Sequence, residues 1–132
     1  MELAKRPVSV AFVDLDHFKR INDEHGHDVG DEVLEEVAEL IRAELRESDI
    51  VARFGGEEFV ILLPDVGLRG ARGVANRIRN SLIDSRLPVA ATLSAGVATR
   101  QPGEALDDLV ARADAALLKA KQEGRNRVRV AG

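Results

Sequence analysis

The chain has 132 residues, 45% of them hydrophobic, and no cysteine, so it can bury a core without staples, and disulfides and thiolate metal sites are excluded. Lys and Arg total 19 against 23 Asp and Glu, a net charge of -4, and aromatic residues make up 3% with no Trp or Tyr. That balance argues against a basic nucleic-acid face and against a base-stacking platform.

One domain over residues 1–132 is expected from the length. No apolar run reaches ~18 residues and no signal peptide is visible. The expected location is the cytoplasm, or the cytoplasmic part of a larger membrane-bound protein, with any membrane contact made through flanking domains.

Val8 to Val13 (VSVAFV) is a short apolar run rich in β-branched residues and reads as a buried strand. It runs into Asp14-Leu15-Asp16. A helix is predicted from His17 to about Glu24, with Asp16 as its N-cap. Gly26 to Gly30 reads as a turn. A long helix follows from about Asp31 to Leu45, with Val33, Val37, Leu40, Ile41 and Leu45 on one face.

Asp49 to Phe54 and Glu58 to Leu63 read as two strands. Gly55-Gly56 between them suits a tight hairpin, because glycine tolerates positive φ. Pro64 closes the second strand. A third helix spans about Leu68 to Leu82, with Ala71, Val74, Ala75, Ile78 and Leu82 as its stripe. Val89 to Val97 reads as a strand. Ala105 to about Gln122 is a helix with Leu106, Leu109, Val110, Ala113, Leu117 and Ala120 inward, and Gly124 stands where a C-cap glycine belongs. Val128 and Val130 alternate in a last short strand. The order β-α-α-β-β-α-β-α-β implies an α+β fold: one sheet with a central hairpin and helices packed on it.

Five groups of residues are able to carry chemistry. Asp14 and Asp16 sit at the carboxyl end of a buried strand, where oxygen donors suit a hard cation such as Mg2+; a helix cap and a solvated strand end would look the same. Gly55-Gly56-Glu57-Glu58 combines bare backbone able to approach a phosphate with two acids able to ligate metal or take a proton. A plain glycine hairpin would also read this way. Asn22 with Asp31 offers the amide and carboxylate that read a guanine edge. Lys121 and Arg125 flank a helix end and suit phosphates, or simply the helix dipole. Arg46 and Asp49 precede the hairpin, where Arg can fork onto guanine or phosphate, or form a surface ion pair. His25 and His27 lack a third nitrogen ligand.

Taken together these residues resemble the GGDEF domain, the diguanylate cyclase family. The signature is Gly55-Gly56-Glu57-Glu58-Phe59, the GGEEF variant. Phe12 to Asp31 (FVDLDHFKRINDEHGHDVGD), Leu93 to Val97 (LSAGV), Ala113-Asp114 and Lys121 to Asn126 (KQEGRN) match the family's other blocks in order. The resemblance runs from about Val8 to Val130. It implies a single five-stranded central sheet flanked by helices, with the signature β-hairpin, similar to nucleotide cyclases and the polymerase palm.

It also implies an enzyme of bacterial signalling that condenses two GTP into cyclic di-GMP and pyrophosphate, with Mg2+ (or Mn2+) as cofactor. A second GGDEF domain is the implied partner in a catalytic homodimer, and no nucleic acid is implied. By resemblance, Asp14, the Leu15 carbonyl and Glu57 hold metal, and Glu57 and Glu58 are catalytic. Phe18, Lys19, Asn22, Asp31, Gly55, Gly56, Lys121 and Arg125 bind substrate. Arg46 and Asp49 form an RxxD product-inhibition site, with Arg77 as its secondary arginine. The alternative is a binding module that senses GTP or cyclic di-GMP without turnover. Relatives carry a helix and an LTGLxNRR-like segment before the first strand, which Met1-Glu2-Leu3 does not match. The isolated domain is therefore expected to bind GTP and product and to turn over slowly.

Overall fold

The computed structural model describes residues 6–85, 87 and 89–132; the start at Met1-Glu2-Leu3 lies outside them. The elements follow the expected order: β1 (Val8–Leu15), α1 (Phe18–His25), α2 (His27–Glu44), β2 (Ile50–Arg53), β3 (Glu58–Pro64), α3 (Leu68–Ile83), β4 (Leu93–Thr99), α4 (Leu106–Gln122) and β5 (Val128–Val130). They build one five-stranded sheet in the order β2-β3-β1-β4-β5. All neighbours are antiparallel except β4 and β5.

The middle strand explains its own sequence. β1 is covered on both faces, so it reads as a continuous apolar run rather than an alternation. Ala11, Val13 and Leu15 face a core shared with α1, α2 and α3. Val10 and Phe12 face the opposite way, against Leu109, Ala113 and Leu117 of α4. By the same period-2 alternation, Asp14 points to the α4 side.

α4 approaches the sheet closely because β4 carries no side chain at Gly96. A Cβ there would overlap the carbonyl oxygen of Ala113 and the amide nitrogen of Leu117. Ala113, Ala116 and Ala120 keep the helix face thin at the same place. Leu106, expected inward, is 55% exposed, because it opens the helix before the buried stripe begins.

Three local expectations are corrected. The second helix begins at His27, not Asp31, so Gly30 is helical rather than part of a turn. A Cβ at Gly30 would overlap Asn22 Oδ1, so glycine here serves the packing of α1 on α2. The strand expected from Val89 begins at Leu93; Thr92, just before it, turns its hydroxyl to Asp16. Asp16 does not cap α1. The N-cap is His17, in a left-handed conformation at φ 56 and without a side-chain cap bond.

Gly96→Ala should destabilise the fold by ~2 kcal/mol or more, since neither backbone it would strike can yield. Urea unfolding checks this; stability equal to wild type would show that α4 moves freely on the sheet.

Candidate active site

The site forms where the end of β1 meets the turn between β2 and β3. The ladder sets Asp14 directly opposite Glu58 on β3 and Ser94 on β4. The turn is drawn onto β1 by the Leu15 N–H, which donates to the Glu57 carbonyl at 3.3 Å. It is closed by the Arg53 guanidinium, donating from Nε at 3.1 Å and NH2 at 2.7 Å to the Gly56 carbonyl, and by the Phe54 N–H to the Glu58 carbonyl at 2.8 Å. Phe54 lies edge-on to Phe12, with ring centroids 5.3 Å apart. Glu57 and Glu58 are thus held beside Asp14 by backbone pairing.

The glycines of this turn work differently from expectation. Neither Gly55 nor Gly56 has positive φ. A Cβ at Gly55 would strike the Glu58 carboxylate, whereas one at Gly56 would meet open space. At Gly55 the missing side chain leaves room for the Glu58 carboxylate in its present position, and Gly56 leaves bare backbone facing outward.

Asp14 is the most confined acid of the group. It is buried, and its Oδ2 pairs with Lys121 Nζ from the last turn of α4. Its Oδ1 has no hydrogen-bond partner among the described residues. Burial raises the Asp14 pKa above its ordinary 3.8, against the opposing pull of Lys121. Glu58 is likewise raised above 4.5, first by burial and then by the Asp14 charge, with smaller pushes from Glu57 and Asp114. Two acids with raised pKa values and one facing lysine make a site that favours an added cation or a proton. Asp114, on α4, falls in a block that matches the family, though the resemblance assigns it no role in the site; its helical spacing of one heptad from Lys121 puts it on the same face.

The other predicted residues group around this centre. Phe18 is buried and Lys19 exposed at the start of α1. Asn22 on α1 has its Oδ1 lying against Gly30 of α2, buried without a partner among the described residues, and Asp31 follows Gly30 in the chain as an exposed residue of α2. Arg125 follows α4 in a left-handed conformation at φ 65 and is close enough to Asp14 to lower its pKa. His25 and His27 are exposed. No set of three His, Cys, Asp or Glu that could hold a metal occurs among the described residues; the oxygen donors near the strand end are the side chains of Asp14, Glu57 and Glu58 and main-chain carbonyls.

A second group lies at the far end of α2. Arg46 forks onto Asp49 through Nε at 3.1 Å and NH2 at 2.6 Å, and NH2 also reaches the Pro64 carbonyl at 2.7 Å. The Asp49 side chain is 2% exposed, and its pKa is lowered mainly by the bond from Arg46. This is more than a loose surface pair. Arg77 on α3 donates to Glu44 at 3.1 Å, which places it beside the segment carrying Arg46.

The family described as "Diguanylate cyclase, GGDEF domain" matches residues 1–127. The chain belongs to this family. Among curated relatives, diguanylate cyclase DgcP of Pseudomonas aeruginosa is 44% identical over 127 residues, covering 92% of this chain and 19% of the relative. Response regulator PleD of Caulobacter vibrioides is 44% identical over 130 residues, covering 92% and 29%. The chain therefore spans less than a third of the length of either. The solved GGDEF domain of DgcB from Caulobacter crescentus, in complex with c-di-GMP, superposes with a TM-score of 0.92 at 36% identity, covering 98% of this chain and 81% of that one. The active GGEEF domain of a Vibrio cholerae diguanylate cyclase gives 0.92 at 35%, covering 98% and 85%. The GGDEF fold thus accounts for the sheet order and for the hairpin that carries Glu57 and Glu58. No helix among the described residues is long and apolar enough to cross a membrane.

The raised Asp14 pKa has a definite sign in solution. An acid whose folded pKa exceeds its unfolded value stabilises the fold below the unfolded pKa, and loses that contribution as pH rises through the folded one. Relative to Asp14→Asn, the wild-type domain should be most stable below pH 3.8 and should lose ground steadily above it. Urea unfolding of both proteins across pH, in a chelator, reads the difference; a gap of opposite slope would mean that Lys121 outweighs burial.

Proposed function

We infer that this domain is a diguanylate cyclase: it binds GTP at the end of β1 and joins it to a second GTP held by a facing domain. The 3′-oxygen of one nucleotide attacks the α-phosphorus of the other, and pyrophosphate leaves. The observation that carries this reading is the buried Asp14, set against Glu58, with Lys121 and Glu57 brought to the same strand end.

The residues present fit a divalent cation. Asp14 Oδ1 is buried and unpartnered among the described residues, and Glu57 and the Leu15 carbonyl at the strand end are further oxygen donors, the type that Mg2+ or Mn2+ selects. A bound cation supplies charge neutralisation and Lewis acidity for the triphosphate. The chain's own groups do the rest. Lys121 and Arg125 hold phosphate oxygens, and the bare backbone of Gly55 and Gly56 and the start of α1 at Phe18 and Lys19 let the nucleotide approach. Asn22 and Asp31 read the guanine edge; Asp31 accepts from the N–H groups that adenine does not present. Glu58, with its raised pKa, is suited to take the proton from the attacking hydroxyl. Holding two nucleotides in register supplies much of the rate through proximity, which is why two domains are needed.

Arg46, Asp49 and Arg77 form the product site for feedback inhibition. The Arg46 fork and the Arg77 guanidinium are geometrically suited to guanine edges and phosphates.

Incubation with GTP and Mg2+, with the domain dimerised by fusion, should yield cyclic di-GMP and pyrophosphate. Glu57→Gln should lower that rate by ~100-fold or more with circular dichroism unchanged. Failure of the wild type to form product under forced dimerisation would support a non-catalytic binding module instead.

Arg46→Ala should raise the cyclic di-GMP concentration for half-inhibition by roughly tenfold or more, the loss of about 1.4 kcal/mol of binding. Unchanged inhibition in the same assay would reduce Arg46 to a structural partner of Asp49.

A further inference from the structure

Asp16 is buried at 3% exposure, yet no cation pairs with it among the described residues. Its Oδ1 accepts from Ser94 Oγ at 2.7 Å. Its Oδ2 accepts from Thr92 Oγ1 at 2.7 Å and from the Asn126 N–H at 2.9 Å. The Asn126 N–H also reaches Ser94 Oγ at 3.1 Å, and the Asp16 N–H donates to the Thr92 carbonyl at 2.9 Å. One carboxylate therefore joins the end of β1, the approach to β4 and the loop between α4 and β5.

That loop is where Arg125 stands. Gly124, Arg125 and Asn126 all have positive φ, at 123, 65 and 47. Glycine and asparagine adopt this region readily; arginine does so rarely. Such a run persists only where its surroundings over-determine it. Here Asn126 is gripped from both sides. Asp16 takes its N–H, and Arg79 of α3 donates through NH1 to Asn126 Oδ1 at 2.9 Å. The Arg125 N–H in turn donates to the Ala120 carbonyl at 2.9 Å, one residue before Lys121.

Resting on the cyclase reading above, we propose that Asp16 is a positioning residue for the phosphate-holding pair: with Arg79 it clamps Asn126 and so holds Arg125 and Lys121 over Asp14. A neutral isostere keeps much of this. In an Asp16→Asn variant the side-chain amide can turn its oxygen to Thr92 and Asn126 and its nitrogen to Ser94 Oγ. Alanine leaves the Asn126 N–H without its carboxylate and frees the loop.

The test uses the full chain, with GTP and Mg2+ followed by calorimetry below each variant's unfolding temperature. Asp16→Ala should weaken GTP binding by ~10-fold, Asp16→Asn by no more than ~3-fold, and Arg79→Ala should weaken it in the same direction as Asp16→Ala. In an Arg125→Ala background the further effect of Asp16→Ala should shrink to within ~2-fold, because groups acting through one another are not additive. Wild-type affinity in folded Asp16→Ala, or effects that multiply in the double variant, would overturn the proposal. Arg79→Ala decides the same point should Asp16→Ala fail to fold. A separate readout is hydrogen exchange at the Asn126 amide, expected slow in wild type and fast in both clamp variants; unchanged exchange overturns the clamp. If wild type shows slow exchange but binds no GTP, the cyclase reading falls while the clamp stands.

Discussion

Everything at this site follows from one electrostatic arrangement: a carboxylate buried at the end of the central strand, matched by a single lysine and open at one oxygen. Taking Asp14 out of water is costly, and Lys121 offsets only part of that cost, since the pKa remains raised. The strand position makes the burial unavoidable. β1 is flanked on both sides by antiparallel neighbours, so its end residue is enclosed by Glu58 and Ser94 rather than by solvent. Glu58 then adds a second raised acid next to the first. The unfavourable charge is local and directional, a condition that favours an added cation or a proton.

The rest of the molecule serves to bring α4 to that point. Lys121 can reach Asp14 only because α4 lies low on the sheet, and it lies low because Gly96 and a run of alanines remove the side chains that would lift it. The loop after α4 is fixed in turn by Asp16 and Arg79 acting on Asn126. Two aspartates two residues apart on one strand end thus have opposite fates. Asp14 is left partly unsatisfied and Asp16 is fully hydrogen-bonded, the first suited to chemistry and the second to geometry.

Much of this was legible in the sequence, and the exceptions have physical causes. Hydrophobic periodicity located α2, α3, α4 and β1, because each has one apolar face or an unbroken apolar run, whereas β2, exposed along most of its length, showed only through the glycine turn that follows it. Gly26 and Gly30 looked like turn punctuation around His27 and Asp28, yet Gly30 lies within α2, chosen for the room it leaves to Asn22. The hairpin glycines looked like positive-φ residues, but neither has a positive φ, and at Gly55 the space a side chain would take holds the Glu58 carboxylate. Asp16 carries the local signature of an N-cap and spends its oxygens elsewhere, leaving His17 to turn the chain in a left-handed conformation.

By itself the sequence determined the order of elements, the burial of β1, and the chemical types available: clustered acids, an amide, lysine and arginine. Only the tertiary structure decided which acid keeps a free oxygen, which is satisfied, and which cation serves each. The reason is distance along the chain. Thr92 and Asn126 reach Asp16 from 76 and 110 positions away, and Lys121 meets Asp14 from the far end of the molecule. Local patterns carry no record of such pairings; sheet order and helix depth create them.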